Sequence, residues 1–162
     1  MNNVILLVDD SENDVVMLQR AAKNVGLTNP IYVVNSGKDA LIYLQGEGKY
    51  ADRIKYPSPG ILLLDLKMPG IDGFEVLRWV RNQQRFKTLL VVVLSGMAET
   101  RDINRAYELG AHSYLIKPAN PVDLANLMNF FQGYWTLANQ QNGAVAAGVP
   151  LPTAPGVRPT TA

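Results

Sequence analysis

Three aspartates, one serine and one lysine stand out by type and by place. Asp9 and Asp10 follow the apolar run Val4–Val8, and Asp65 follows Ile61–Leu64. Ser95 follows Leu89–Leu94, and Lys117 follows Tyr114–Ile116. Carboxylates crowded within a few ångströms repel one another and do not all stay ionised unaided. A hard divalent cation that takes oxygen ligands and keeps several waters answers that need, and Mg²⁺ is the expected ion. Across from it, the Lys117 ammonium and the Ser95 hydroxyl would complete a cradle for phosphoryl oxygens. Asp65 is then a nucleophile that takes up a phosphoryl group as an aspartyl phosphate. Each residue also has a plainer reading. A strand-end aspartate often caps the next helix, a lone serine is often a turn residue, and a Lys-Pro pair is often a solvated loop. Five such residues, in this order and at these ends, favour chemistry.

That chemistry requires the five to be gathered on one edge, and the chain has the elements to do it. Five short runs rich in Val, Ile and Leu show little alternation, as strands buried on both faces do: Val4–Val8, Ile31–Val34, Ile61–Leu64, Leu89–Leu94 and Tyr114–Ile116. Helical patterns separate them. Asn13–Val25 follows Ser11 as a candidate N-cap, Lys38–Gln45 stops at Gly46, and Phe74–Asn82 and Glu99–Leu109 come next, the latter stopped by Gly110. Asn120 to about Gln140 is the last and longest. Such alternation gives a doubly wound five-stranded parallel sheet with helices on both faces, and with its site at the carboxyl ends of the strands.

Composition bounds the rest. The 162 residues fit one domain, and 48% hydrophobic with 18% charged residues is globular. A net charge of +1 offers no field for nucleic acid or a membrane surface. Cysteine is absent and there is one histidine, which excludes thiol catalysis, disulfides and Cys- or multi-His-ligated metals. No apolar run reaches the ~18 residues of a membrane span, and no secretory signal is present, so the expected location is the cytoplasm. Residues 46–60 form an unusually long connection that enters the third strand from the end away from the site. Residues 142–162, with four prolines and three glycines, read as a flexible Pro/Gly/Ala-rich tail after a unit spanning 1–141.

The stretches ILLVDDSENDVVML, ILLLDLKMPGIDGFEVL, VVVLSG and AYELGAHSYLIKP resemble the receiver (response regulatory) domain of two-component response regulators, from residue 4 to about 137. The resemblance implies a flavodoxin-like (βα)5 receiver with Asp65 as phosphoacceptor. It implies that Asp10 and Asp65 ligate Mg²⁺ directly, Asp9 through water, and Lys67 through its backbone carbonyl. Ser95 and Lys117 would contact the phosphoryl group, Tyr114 would be the aromatic switch that turns inward on phosphorylation, and Lys117-Pro118 would be a cis peptide. Gly96 and Met97 depart from the commoner residues after the hydroxyl position, which bears on switching and phosphate lifetime.

The long connection, RAYELGAHSYLIKP and FFQGYW narrow the resemblance to the single-domain regulators paired with bacterial phytochrome histidine kinases. A sensor histidine kinase, phytochrome-type, is the implied partner. Its docking surface would use the first helix, where one of the neighbours Met17 and Leu18 must face outward. The chain is then a phosphoacceptor signalling protein rather than an enzyme. A phosphorelay intermediate, or an unphosphorylated scaffold receiver serving a non-photosensory kinase, is the alternative.

Other chemistries fit less well. An aspartyl phosphatase of the haloacid dehalogenase type needs an acid two residues after the nucleophile, where Lys67 stands. A nucleotide site needs a glycine-rich turn after the first strand, where Asp9-Asp10-Ser11-Glu12 is acidic. His112 lies in a loop and reads as a surface residue. Finally, the last helix carries a core stripe through Leu124, Leu127, Met128, Phe131 and Trp135, and a second stripe at Phe130, Tyr134 and Leu137. The second stripe is expected to be a homodimer interface.

Overall fold

A computed structural model describes residues 3–141 and 155–160. Five strands, β1 (Ile5–Val8), β2 (Ile31–Val34), β3 (Ile61–Leu64), β4 (Leu90–Ser95) and β5 (Ser113–Ile116), alternate with five helices. These are α1 (Glu12–Asn24), α2 (Gly37–Gln45), α3 (Gly73–Asn82), α4 (Thr100–Glu108) and α5 (Pro121–Gln141). All strand pairings are parallel, in the order β2-β1-β3-β4-β5.

Side chains alternate across a strand, and the core divides accordingly. Leu6, Val8, Leu62, Leu64, Val91 and Val93 face α2, α3 and α4. Ile5, Leu7, Ile61, Leu63, Leu90 and Val92 face α1 and α5. Residues β1, β3 and β4 are buried on both sides, which is why those runs carry no polar alternation.

Local chemistry sets the helix starts. Ser11, Ser36 and Asp72 each accept a backbone N–H from the residue three further on, at 3.3, 3.0 and 2.9 Å. α3 begins unusually close to the sheet. A Cβ on Gly73 would lie 2.2 Å from the Asp65 carbonyl oxygen, so only glycine lets α3 start against the end of β3.

Residues 46–60 fold back on α2. They contain a short 3₁₀ turn, Gly48–Tyr50, and pack Tyr50 and Tyr56 against Tyr43. The Arg53 guanidinium closes the turn by donating to the carbonyls of Leu44 and Tyr56. The segment rejoins the sheet where Gly60 N–H donates to Val4 O, at the amino end of β3 and opposite the carboxyl edge.

One expectation is corrected here. Tyr134 is 4% exposed and packs with the α1–α5 core, while Phe130 and Leu137 are only half-buried. Tyr134 is therefore not part of an open stripe; it lines a shallow cavity together with Ser58, Pro59 and Phe86. His112 is an exposed residue of the loop before β5, as expected, and its ring is held in place there. Its Nδ1 accepts the Val91 N–H at 3.1 Å and faces the Arg81 guanidinium at 3.3 Å. Of the tail, residues 142–154 and 161–162 lie outside the described residues, and 155–160 rest on α4 and β5.

Candidate phosphoacceptor site

Register brings the acids together. Val8 pairs with Leu64, so the next residues, Asp9 and Asp65, emerge side by side, with Asp65 N–H donating to Val8 O at 2.9 Å. The sheet order reverses between β1 and β3, because β2 lies on one side of β1 and β3 on the other. Helices leave such a point on opposite faces, which opens a crevice at the carboxyl ends. Asp9, Asp10 and Asp65 meet there, with one carboxylate oxygen of each within 4.8 Å of the others. Asp9 and Asp65 are buried and Asp10 is exposed, so the cluster is reached from solvent on one side.

Lys117, just past β5, closes the other side. Its ammonium lies 2.7 Å from Asp9 Oδ2 and 3.2 Å from Asp65 Oδ2. It also lies 2.9 Å from Asp14 Oδ2. Burial disfavours the charged ammonium, but bonds to Asp9 and Asp14 and the charge of Asp65 outweigh it, so its pKa is raised and it stays cationic. Burial raises the Asp65 pKa and Asp9 adds to the rise, against the opposing charge of Lys117. The remaining acceptor sites are held by backbone: Ser11 N–H donates to Asp9 Oδ1 at 2.9 Å, and Lys67 N–H to Asp65 Oδ1 at 3.2 Å. The peptide Lys117-Pro118 is cis.

Ser95 ends β4 fully buried, and its Oγ accepts the Met97 N–H at 3.3 Å. Tyr114 is also fully buried, with its hydroxyl donating to the Met97 carbonyl at 2.6 Å. Met97 thus bridges the two residues. The ring expected to turn inward on phosphorylation is already inward in this structure. Of the expected site residues, Asp9, Asp10, Asp65 and Lys117 converge, Lys67 adjoins them, and Ser95 and Tyr114 sit behind at β4 and β5.

Two site residues escape a reading by strand ends. Asp14 is in the first turn of α1 and reaches Lys117 from there. Gly73 matters through its backbone, and only the tertiary approach to Asp65 reveals it. On α1, Leu18 is buried and Met17 is 43% exposed, so Met17 is the outward one of the pair.

The donor set fits a hard divalent cation: carboxylate oxygens, one exposed to water, with a fixed ammonium alongside. A sequence model of the response regulator receiver domain matches residues 5–129. The probable methanogenesis regulatory protein FilR2 of Methanothrix harundinacea is 35% identical over 143 residues, which cover 86% of this chain and 88% of that protein. Response regulator Rcp1 of Synechocystis sp. is 33% identical over 132 residues, 82% of this chain and 88% of that one. Its Mn²⁺-bound crystal structure superposes with a TM-score of 0.69 at 32% identity, covering 93% of this chain and 99% of that one. The phosphorylated cyanobacterial phytochrome response regulator RcpA superposes with a TM-score of 0.73 at 32% identity, covering 85% and 96%. Receiver domains bind Mg²⁺ or Mn²⁺ at such an aspartate cluster and accept phosphate on an aspartate as signalling domains rather than as conventional enzymes. With the acids, the lysine and the sheet that aligns them all in place, this chain belongs to the response regulator receiver family.

Proposed function

We propose that Asp65 is the phosphoacceptor and that a phytochrome-type sensor histidine kinase is the donor. The observation that carries the acceptor assignment is the Lys117 ammonium paired with Asp9 and Asp65 at once, a fixed cation beside a buried carboxylate. An Asp65 carboxylate oxygen attacks the phosphorus of the kinase phosphohistidine. The P–N bond breaks, and the leaving imidazole nitrogen keeps the electron pair. Lys117 and the Ser95 hydroxyl then face the phosphoryl oxygens, which draws Lys117 from its carboxylates and Ser95 from Met97. Asp9, Asp10, Asp65 and the Lys67 carbonyl would hold Mg²⁺, which when bound neutralises charge on the transferring group. Return to the free carboxylate by hydrolysis is the only turnover this reading assigns to the chain.

The phytochrome assignment rests on likeness to Rcp1 and RcpA, the latter described as a phytochrome response regulator. On this reading the chain works in the cytoplasm beside the kinase, with the exposed Met17 and Asn120 near the docking surface. Output runs by phosphorylation-dependent protein–protein contact, and self-association uses the half-buried Phe130 and Leu137 of α5.

The test mixes autophosphorylated kinases with this chain and follows label leaving histidine. Light-dependent transfer from a phytochrome kinase to wild type, and none to Asp65→Asn, is expected. Fast transfer from a non-photosensory kinase, with phytochrome kinases inert in red and far-red light, overturns the donor and leaves the acceptor standing.

A further inference from the structure

β5 is an edge strand, and an open edge offers unpaired N–H and C=O groups to any extended chain. In this protein the outer side of β5 is occupied. Val157 N–H donates to the Tyr114 carbonyl at 2.7 Å, a backbone bond of the kind that adds a strand. The buried Ser113 hydroxyl donates to the Pro155 carbonyl, and the Tyr107 hydroxyl of α4 donates to the Val157 carbonyl. Thr160 N–H donates to Asn104 Oδ1, also on α4, at 2.9 Å.

The segment suits this place by sequence. Gly156 has φ 129°, a conformation that side chains resist, and a Cβ there would lie 2.5 Å from the Tyr114 carbonyl oxygen. Pro155 and Pro159 restrict the backbone, which lowers the entropy lost on docking. The same chain can supply the segment. Thirteen intervening residues can reach at most ~43 Å at ~3.3 Å per residue. That exceeds the ~32 Å length of α5 at ~1.5 Å per residue, over which the chain must return.

We infer that Pro155–Thr160 is a ligand that the chain carries for its own β5 edge, and that an extended partner segment gains the α4–β5 face only by displacing it. The role of this face as the output surface rests on the proposed function; the docking itself does not. The grip falls on the backbone of Tyr114, whose ring also reaches Met97 below Ser95. A change at the phosphoacceptor that moves Tyr114 therefore loosens the segment directly.

Amide exchange on the unphosphorylated full chain tests this, with Gly156→Val and Asn104→Ala alongside. In wild type the Val157 and Thr160 amides should exchange at least tenfold slower than in the free peptide 155–160, and equally so on tenfold dilution. Gly156→Val should lose both protections and shift the Ser113–Leu115 signals; Asn104→Ala should lose that of Thr160. Added peptide 155–160 should bind Gly156→Val at least tenfold more tightly than wild type. Free-peptide exchange rates at Val157 in wild type, unchanged β5 signals in Gly156→Val, or equal peptide binding to both chains overturns the inference. Protection lost on dilution overturns it in favour of a second copy's segment. Acetyl phosphate labelling of the same samples reads the phosphoacceptor separately, so either idea can fail while the other stands.

Discussion

The Asp14 carboxylate of α1 lies 2.9 Å from the Lys117 ammonium beyond β5, and so competes with the phosphoacceptor site for its cation. A partly exposed ion pair of this kind contributes ~0.5–1 kcal/mol. If the lysine must leave Asp14 to meet the phosphoryl group, Asp14→Asn should speed labelling by acetyl phosphate roughly two- to fivefold, as ~1.4 kcal/mol corresponds to tenfold in rate. Lys117→Ala should slow it by far more. An unchanged rate in Asp14→Asn would show that the pair does not oppose phosphorylation.

Labelling should be confined to Asp65 and should need a divalent ion, since Asp9, Asp10 and Asp65 share one small volume. Intact mass after acetyl phosphate treatment should show one phosphoryl adduct in wild type with Mg²⁺. It should show none in Asp65→Asn and almost none in chelator. A stable adduct on Asp65→Asn places the acceptor elsewhere.

Ser95 and Tyr114 both bond Met97, one to its N–H and the other to its carbonyl. Ser95→Ala should therefore still be labelled at Asp65 but transmit less of the change to α4 and β5. Tyr114→Phe should loosen the Met97 loop even without phosphate. Amide spectra of the phosphorylated proteins measure both; a full wild-type shift in Ser95→Ala would break this route.

Burial raises the Asp65 pKa above its ordinary value of 3.8, with Lys117 only partly opposing the rise. The folded chain then keeps this proton to higher pH than the unfolded chain does. As pH climbs through the window just above 3.8, the unfolded state releases its proton first, and stability falls. Asp65→Asn removes that loss while Asp9 and Asp14 still hold Lys117. Its metal-free Tm should exceed wild type at pH 7 by a few degrees, at about 2–4 °C per kcal/mol. The gap should narrow toward pH 4. A gap independent of pH would assign the gain to something other than this carboxylate.

Self-association is expected through α5, where Phe130 and Leu137 remain half-buried. Sedimentation at micromolar concentration should give a dimer that Phe130→Glu weakens at least tenfold. Tyr134→Glu is no test of it, because Tyr134 is in the core and its change would unfold the helix packing. A wild-type monomer at that concentration rejects this surface.

Much was readable in the linear chain, for a physical reason. Strands buried on both faces must be apolar throughout, so the runs of β1, β3 and β4 announced themselves, and the shorter apolar runs of the edge strands β2 and β5 fell within a residue or so as well. Parallel register then carries whatever follows each run to one edge, which is why Asp9, Asp10, Asp65, Ser95 and Lys117 could be named from position alone. Interactions that cross between elements were not readable in this way. Asp14 joined the site because the packing of α1 brings its first turn within 2.9 Å of the Lys117 ammonium. Tyr134 became core because α5 lays it against the side of the sheet that α1 also covers, a docking that no helical periodicity encodes. The composition of residues 155–160 marked them as unable to build a core, which is true of them in isolation. Only the folded sheet, by presenting the open carbonyl of Tyr114, provides a partner that Val157 and Gly156 fit.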